Sequence, residues 1–180
     1  VIFDLDGTLT KPCLDFNLIR EEIGIASGPI LEAISSMPPA ERSRAESILT
    51  RHEWDAAHKC ELYESAVEIV AQFRCEGHPV AVLTRNTRPI VEYILTTRGF
   101  HFDGIRTRED GAIKPSAEPV LSLCEELDAV PAQSWVVGDY LFDLQTGRNA
   151  GAGTVHVDRT RSFPWPELTD IGVETLRELL

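Results

Sequence analysis

Two aspartates near the start of the chain, Asp4 and Asp6, are the residues of this sequence best suited to chemistry. They follow a short apolar run, 1–4, which is too short for a helix and is typical of a buried strand. A carboxylate at such a position can act as a nucleophile and divide one difficult displacement into two easier steps. Asp6 lies just past the strand, where Gly7 lets the backbone turn, so its carboxyl group can donate and accept protons for both steps.

Polar side chains also follow two later strand-like runs. Thr84 closes the β-branched run 79–83, and Asp139 follows the run 134–137, with Asp143 four residues further on. In an open parallel sheet, ligands bind outside the carboxyl ends of the strands. We therefore expect these scattered groups to meet at one edge of a sheet.

The elements that must position them alternate between strands and helices. Strand-like runs lie at 1–4, 79–83, 102–105, 134–137 and 154–157, and helix-like segments lie at 64–76, 87–98, from 116 to about 127, from 139 to about 150, and at 174–180. Such alternation predicts βαβ units. The fold class is therefore predicted as α/β, with a three-layer, Rossmann-like parallel sheet core.

One stretch departs from this alternation. Residues 14–60 contain no convincing strand, and two breaks, at 24–29 and 36–39, divide the stretch into two or three helices. A length of 180 residues suits one domain with a modest insertion. We therefore predict a catalytic core formed by residues 1–13 and 61–180, and a small helical cap, residues 14–60, inserted after the first strand.

The heptad Asp-Leu-Asp-Gly-Thr-Leu-Thr at 4–10 resembles the first motif of the haloacid dehalogenase superfamily of phosphohydrolases. The other family motifs follow in the expected order: Thr84 resembles the second, Lys114 before Pro115 the third, and the acidic run 138–143 the fourth. The resemblance covers the core from Val1 to about Val157. It is greatest to the phosphoglycolate-phosphatase-like subgroup with a small helical cap.

The resemblance implies a phosphatase that forms an aspartyl-phosphate on Asp4, with Asp6 as the proton donor and acceptor. Mg2+ is the implied cofactor, and its ligands would be Asp4, the Asp6 carbonyl, Asp139 and, directly or through water, Asp143. Oxygen-rich ligand sets of this kind suit a hard divalent cation.

The resemblance also implies how the phosphoryl group is bound. A lysine supplies a compact positive charge, and a hydroxyl and backbone amides can donate hydrogen bonds to the same oxygens. The predicted substrate-binding residues are Leu5, Thr84, Arg85, Lys114, Lys11 and Arg51.

The last two are the weaker candidates, because charged residues in helical segments usually serve only as solvated surface. Arg42, Arg44 and His52 are further candidates of the same kind in the insertion.

Three functions fit this pattern. A phosphatase for a small phosphate monoester is favoured, and a protein with a degenerate site is disfavoured because every catalytic position is filled. A phosphomutase or phosphotransferase would use the same intermediate, and a non-catalytic binding protein is the third alternative. In the dehalogenases and phosphonatases of this family, a different residue occupies the position of Asp6. An aspartate there resembles phosphatases and phosphomutases, but it does not separate these two.

Composition narrows the partners. The formal net charge is -12, from 17 basic and 29 acidic residues, and such a surface repels nucleic acid and anionic membranes. The four cysteines form no Cys-x-x-Cys pair, and no apolar run is long enough to span a bilayer. We therefore expect a cytoplasmic protein, a monomer or a homodimer, whose partner is a small phosphorylated metabolite.

Overall fold

The computed structural model describes residues 1–180, and these form two compact units. One unit comprises Val1–Pro12 and Glu61–Leu180, and the other comprises Cys13–Cys60. The second unit interrupts the first between its first and second strands.

The inserted unit consists of three helices around a core of its own. They are α1 (Phe16–Ile23), α2 (Ile30–Ser35) and α3 (Pro39–Lys59). Residues 45, 49, 53 and 57 of α3 are buried, and a four-residue spacing places them along one face of the helix. The apolar cluster that holds the unit together is formed by Ile19, Ile30, Ile34, Ala45 and Leu49.

The larger unit contains one sheet of six parallel strands in the order β3-β2-β1-β4-β5-β6. The strands are β1 (Ile2–Phe3), β2 (Ala81–Leu83), β3 (Gly104–Arg106), β4 (Trp135–Gly138), β5 (Gly153–Val157) and β6 (Ile171–Val173). The first two are entirely buried, as expected of parallel strands covered on both faces.

Helices cover this sheet on both faces. They are α4 (Ala66–Cys75), α5 (Arg88–Arg98), α6 (Glu118–Glu126) and α7 (Leu141–Ala150). Ile2 packs in one apolar cluster with Val120 and Leu123 of α6, whereas the ring of Phe3 lies 6.2 Å from that of Phe73 in α4. Because successive strand residues point to opposite faces, α4 and α6 cover opposite faces of β1. The predicted α/β class and three-layer, Rossmann-like core are confirmed.

The strand order places β1 at the centre of the site-bearing edge. It pairs with β2 on one side and β4 on the other, and the backbone N–H of Asp4 extends the second pairing by donating to Val137 O at 2.8 Å. From β1 the chain continues to β2 and β3 on one side, and it then crosses to β4, β5 and β6 on the other side. The strand order thus reverses between β1 and β4, and parallel sheets open a crevice at such a switch point. Asp4, Thr84 and Asp139 follow the carboxyl ends of these three adjacent strands.

The structure differs from the sequence-based prediction at the carboxyl terminus. The predicted helix at 174–180 is wrong, because only a short 3-10 helix forms there, at Leu176–Leu179. The strand β6 precedes it and was not predicted. It has only three residues, of which the first two are exposed, so it is too short for its sequence to show the pattern of a strand. Asp170 fixes the start of this edge strand by accepting a hydrogen bond from Thr154 N of β5 at 2.9 Å.

Other helices and strands begin a few residues later than the sequence predicted. The helix predicted from 116 begins at Glu118, and Ser116 Oγ accepts a hydrogen bond from Glu118 N at 3.2 Å. The strand predicted at 79–83 is confined to Ala81–Leu83. None of the helices combines the length and apolar character that crossing a membrane requires.

Gly147 allows α7 to lie close to the sheet, and its substitution tests that packing. A Cβ atom there would lie 2.7 Å from Thr154 Cγ2 and 3.2 Å from Val136 Cβ. Helix propensity alone would make Gly147→Ala stabilising by about 1 kcal/mol. We expect overpacking against the two strands to prevail, so that the free energy of unfolding falls by about 1–2 kcal/mol in urea titrations.

The matched control is Gln145→Ala in the same helix, which should change the free energy of unfolding by less than about 0.5 kcal/mol. A Gly147→Ala protein more stable than the wild type would contradict this account of the packing.

Candidate active site

The site is built around Asp4, whose side chain is 8% exposed at the end of β1. Burial raises the pKa of its carboxyl group, and the neighbouring carboxylates of Asp143, Asp139 and Asp6 raise it further. Lys114 opposes them by stabilising the charged form. Asp4 is therefore an acid held in a low-dielectric setting, and it needs nearby positive charge to stay ionised.

Lys114 supplies this charge from the loop between β3 and α6. Its Nζ lies 2.5 Å from Asp4 Oδ1 and 2.6 Å from Asp143 Oδ1, and all three side chains are buried. Burial lowers the pKa of the ammonium group, but the two carboxylates more than offset this effect, so the pKa is raised above its usual value. Lys114 stays protonated and links the end of β1 to the first turn of α7.

Three carboxylates beside this lysine form a candidate cation site. Asp4, Asp139 and Asp143 each offer an oxygen, and the three oxygens lie within 4.8 Å of one another. Burial, and next the charge of Asp143, raise the pKa of Asp139 to about 6. This excess of negative charge, carried on hard oxygen ligands, fits a divalent cation such as Mg2+.

The turn after Asp6 approaches Asp139 closely. Gly7 has a φ of +92°, and a Cβ atom at this position would clash with Asp139 Oδ2. Thr8 Oγ1 donates a hydrogen bond to Asp139 Oδ1 at 3.2 Å. Glycine is required here both by the backbone angle and by the space that the carboxylate occupies. Thr8 lies inside the first motif, but its contact with Asp139 was not predicted from the sequence.

Asp6 is held by two residues that follow β2. Asn86 Nδ2 lies 3.4 Å and Thr84 Oγ1 lies 3.5 Å from Asp6 Oδ2, both long hydrogen bonds. Burial raises the pKa of Asp6, and these hydrogen bonds partly offset the rise. Thr84 was predicted as a site residue, whereas Asn86 was not. A second polar residue soon after Thr84 was the available sequence signal.

Leu5 and Arg85, which were also predicted to bind the phosphoryl group, make different contacts. The side chain of Leu5 is completely buried, and its carbonyl accepts hydrogen bonds from the N–H groups of Leu9 and Thr10. The guanidinium carbon of Arg85 lies 4.7 Å from the centre of the Phe142 ring. A cation over an aromatic face is an attractive contact that fixes the side chain.

Lys11 and Arg51 form ion pairs near the protein surface. Lys11 Nζ lies 2.7 Å from Glu61 Oε2, and both side chains are largely exposed. Arg51 pairs with Glu22 inside the helical unit, and His52 Nε2 lies 2.8 Å from the other oxygen of the same glutamate. Exposed pairs contribute little to stability, and the part these side chains play in substrate binding stays a prediction.

Together these groups combine a buried carboxylate, a protonated lysine, a proton-carrying acid and a cation-binding cluster. Such a set can stabilise negative charge that develops on a substrate while a nucleophile attacks it. Asp6 offers a carboxyl group that can donate and accept a proton, and burial raises its pKa above the ordinary value. The arrangement suits group transfer to Asp4.

Comparison with known proteins also indicates a hydrolase. A family model described as haloacid dehalogenase-like hydrolase matches residues 18–157. An uncharacterized hydrolase of Saccharomyces cerevisiae is 31% identical over 192 aligned positions, which cover 100% of this chain and 88% of that protein. The pyrophosphatase PpaX of Bacillus cereus is 31% identical over 181 positions, covering 89% of this chain and 83% of that protein.

A solved structure shows the same fold at low sequence identity. A hydrolase from Pseudomonas syringae superposes with a TM-score of 0.80 at 17% identity, over 97% of this chain and 92% of that one. The family match spans well over half of the sequence, and its description agrees with the core that carries the site. The chain belongs to the haloacid dehalogenase-like hydrolase family and is an enzyme of that family.

Proposed function

We propose that the protein is a Mg2+-dependent phosphatase that hydrolyses a small phosphate monoester through an aspartyl-phosphate on Asp4. The observation that carries the proposal is the pair of buried contacts from Lys114 Nζ to Asp4 Oδ1 and Asp143 Oδ1. These contacts hold a protonated lysine against a carboxylate that has few other means of staying ionised. Asp6, two residues further on, is ready to exchange a proton.

In the first half of the reaction, a carboxylate oxygen of Asp4 attacks phosphorus and the bond to the leaving oxygen breaks. Asp6 gives its proton to that oxygen, so the alcohol leaves neutral. The raised pKa of Asp6 favours the protonated form that this step needs. Thr84 and Asn86 hold the carboxyl group in place as the proton moves.

In the second half, Asp6 is a carboxylate and takes a proton from water. The resulting hydroxide oxygen bonds to phosphorus, the bond between phosphorus and Asp4 breaks, and inorganic phosphate leaves. Asp4 is restored as a carboxylate and Asp6 as an acid, so the cycle closes without any other reactant. Lys114 stabilises the charge on Asp4 at both ends of the cycle.

Asp4, Asp139 and Asp143 would hold the Mg2+ ion, and Thr8 would orient Asp139 through its hydroxyl hydrogen bond. When bound, the ion would neutralise negative charge on the phosphoryl group. The sequence-based prediction of the Asp6 carbonyl as a further ligand is part of the same proposal.

The substrate class is proposed from charge and from the relatives. A net charge of -12 makes a large anionic partner unfavourable, whereas a small phosphorylated metabolite can bind at a locally neutralised centre. The Bacillus cereus relative is named a pyrophosphatase, which supports a small phosphorylated substrate. We propose that residues 14–60 act as the cap that selects among such compounds, with Lys11 and Arg51 as candidate contacts. The cytoplasm is the proposed location, since all four cysteines are free thiols.

The nucleophile is tested by Asp4→Asn. An amide cannot form the aspartyl-phosphate, so we expect Mg2+-dependent phosphate release from an aryl phosphate to fall by at least about 1,000-fold. Phosphate release is measured over a panel of phosphorylated metabolites. A phosphorylated isomer in place of free phosphate would favour the phosphomutase alternative.

Asp128→Asn is the matched control. Asp128 lies between α6 and β4 at φ +50, a conformation that asparagine also tolerates, and its variant should retain wild-type turnover. Substantial turnover by Asp4→Asn would falsify the assignment of the nucleophile, and a wild-type protein without Mg2+-dependent release would sink the phosphatase proposal.

The cation site is tested through its pH dependence. Because the pKa of Asp139 is about 6 without metal, protons compete with Mg2+ below that pH. We expect the association constant for Mg2+, measured by calorimetry, to rise from pH 5 to 7 and to level off above pH 7. Below pH 6 the change should approach roughly tenfold per pH unit.

Thr8→Val makes this expectation specific. The Thr8 hydroxyl lowers the pKa of Asp139, so its removal should move the pH transition upward while the nearly isosteric side chain preserves packing. An Mg2+ affinity that is the same at pH 5 and pH 7 would show that Asp139 is not a ligand with this pKa.

A further inference from the structure

Arg159 lies outside the four motifs, two residues after the end of β5, and its side chain reaches the turn that carries the catalytic acids. Its Nη1 donates to Gly7 O at 2.9 Å and its Nη2 donates to Thr8 O at 3.2 Å. Its guanidinium carbon lies 3.2 Å from the centre of the Tyr63 ring. One half-buried side chain thus binds both the turn after Asp6 and the segment that returns from the insertion.

The backbone that carries Arg159 is itself held firmly. Asp158 accepts hydrogen bonds from Thr160 N at 2.9 Å, Thr160 Oγ1 at 2.7 Å, Ser162 Oγ at 3.0 Å and Phe163 N at 2.6 Å. Burial alone would raise the pKa of Asp158, but these hydrogen bonds bring it well below its usual range. The loop therefore presents Arg159 from a fixed position.

The two carbonyls that Arg159 binds belong to Gly7 and Thr8, which both lie close to Asp139. Gly7 is the position at which a Cβ atom would clash with Asp139, and the hydroxyl of Thr8 donates to Asp139 Oδ1. Asp6 immediately precedes them, so its carboxyl group moves with this turn. A planar guanidinium that binds two successive carbonyls fixes the orientation of both peptide groups, which a single donor does not.

We propose that Arg159 is a positioning residue that fixes the turn at Gly7 and Thr8, and thereby sets the places of Asp6 and Asp139 for the reaction. Its contribution is to the chemical step, because the two carbonyls that it binds belong to the turn that positions the groups acting there. Small displacements of catalytic groups lower the turnover rate far more than they weaken substrate binding. The kinetic part of this inference rests on the proposed phosphatase function.

The experiment compares Arg159→Met with Arg161→Met. Arg161 is a suitable control because it lies in the same loop, carries the same charge and forms an ion pair with Glu174 through a largely exposed side chain. With Mg2+ and an aryl phosphate, we expect Arg159→Met to lower kcat by about 10- to 100-fold while KM changes by less than about threefold. Arg161→Met should match the wild type in both constants.

Hydrogen exchange supplies a readout that does not depend on turnover. The N–H groups of Gly7, Leu9 and Thr10 are hydrogen-bonded within the turn. Arg159→Met should increase their exchange rates on the order of tenfold, and Arg161→Met should leave them unchanged. Unchanged exchange at these residues in Arg159→Met, a kcat within twofold of the wild type, or an effect confined to KM would each overturn the proposal.

Arg159→Lys separates the two-carbonyl contact from charge alone. Lysine keeps the charge but not the planar pair of donors, so its kcat should lie between those of Arg159→Met and the wild type. A lysine variant equal to the wild type would overturn the role of the paired hydrogen bonds. If the wild type released no phosphate, the phosphatase proposal would fail, while the exchange rates would still decide whether Arg159 fixes the turn.

Discussion

The contact on which the site depends is the one between Lys114 and the carboxylates of Asp4 and Asp143. Burying carboxylates together is costly, and each additional one raises the pKa of the others. Asp4, Asp139 and Asp143 lie within one small volume, and the lysine offsets only part of their charge. The site therefore carries an excess of negative charge, which fits a divalent cation. Burial, and next the charge of Asp143, raise the pKa of Asp139 although Thr8 donates a hydrogen bond to it.

The fold makes this concentration of charge possible by what it places at the carboxyl edge of three adjacent strands. Strand β1 has two residues, and both are buried. Asp4 follows directly at the carboxyl end of this strand. Strand β4 brings Asp139 beside it, and α7 turns back immediately to present Asp143 to the same lysine. Because Gly147 lets α7 lie against the sheet, the packing of the core and the position of Asp143 are set by the same helix.

The sequence predicted the parts of this arrangement that are encoded locally. A strand ending in Asp-x-Asp, a lysine before proline and an acidic run after a later strand are local patterns, and parallel-sheet geometry brings their positions together. Asn86 and Arg159 were missed because their roles depend on contacts between distant segments, such as the one from Arg159 to Gly7. Strand β6 was missed for a related reason. It is defined by pairing with β5 and by Asp170 binding Thr154, whereas its own three residues are too few to show a periodic pattern.

Within the larger unit, the turn after β1 is also connected to the segments that lead into and out of the insertion. Asp6 forms an isolated β-bridge with Thr10. Thr10 forms another β-bridge with Leu62, which lies just after the inserted segment. The N–H of Lys11 donates to Glu61 O at 2.7 Å, so the outgoing and returning segments are hydrogen-bonded to each other. A displacement of these paired segments would be transmitted through Thr10 to Asp6, for which we propose the role of proton donor and acceptor. Arg159 contacts both the turn and Tyr63 of the returning segment, and it therefore opposes such a displacement at the place where it would affect catalysis.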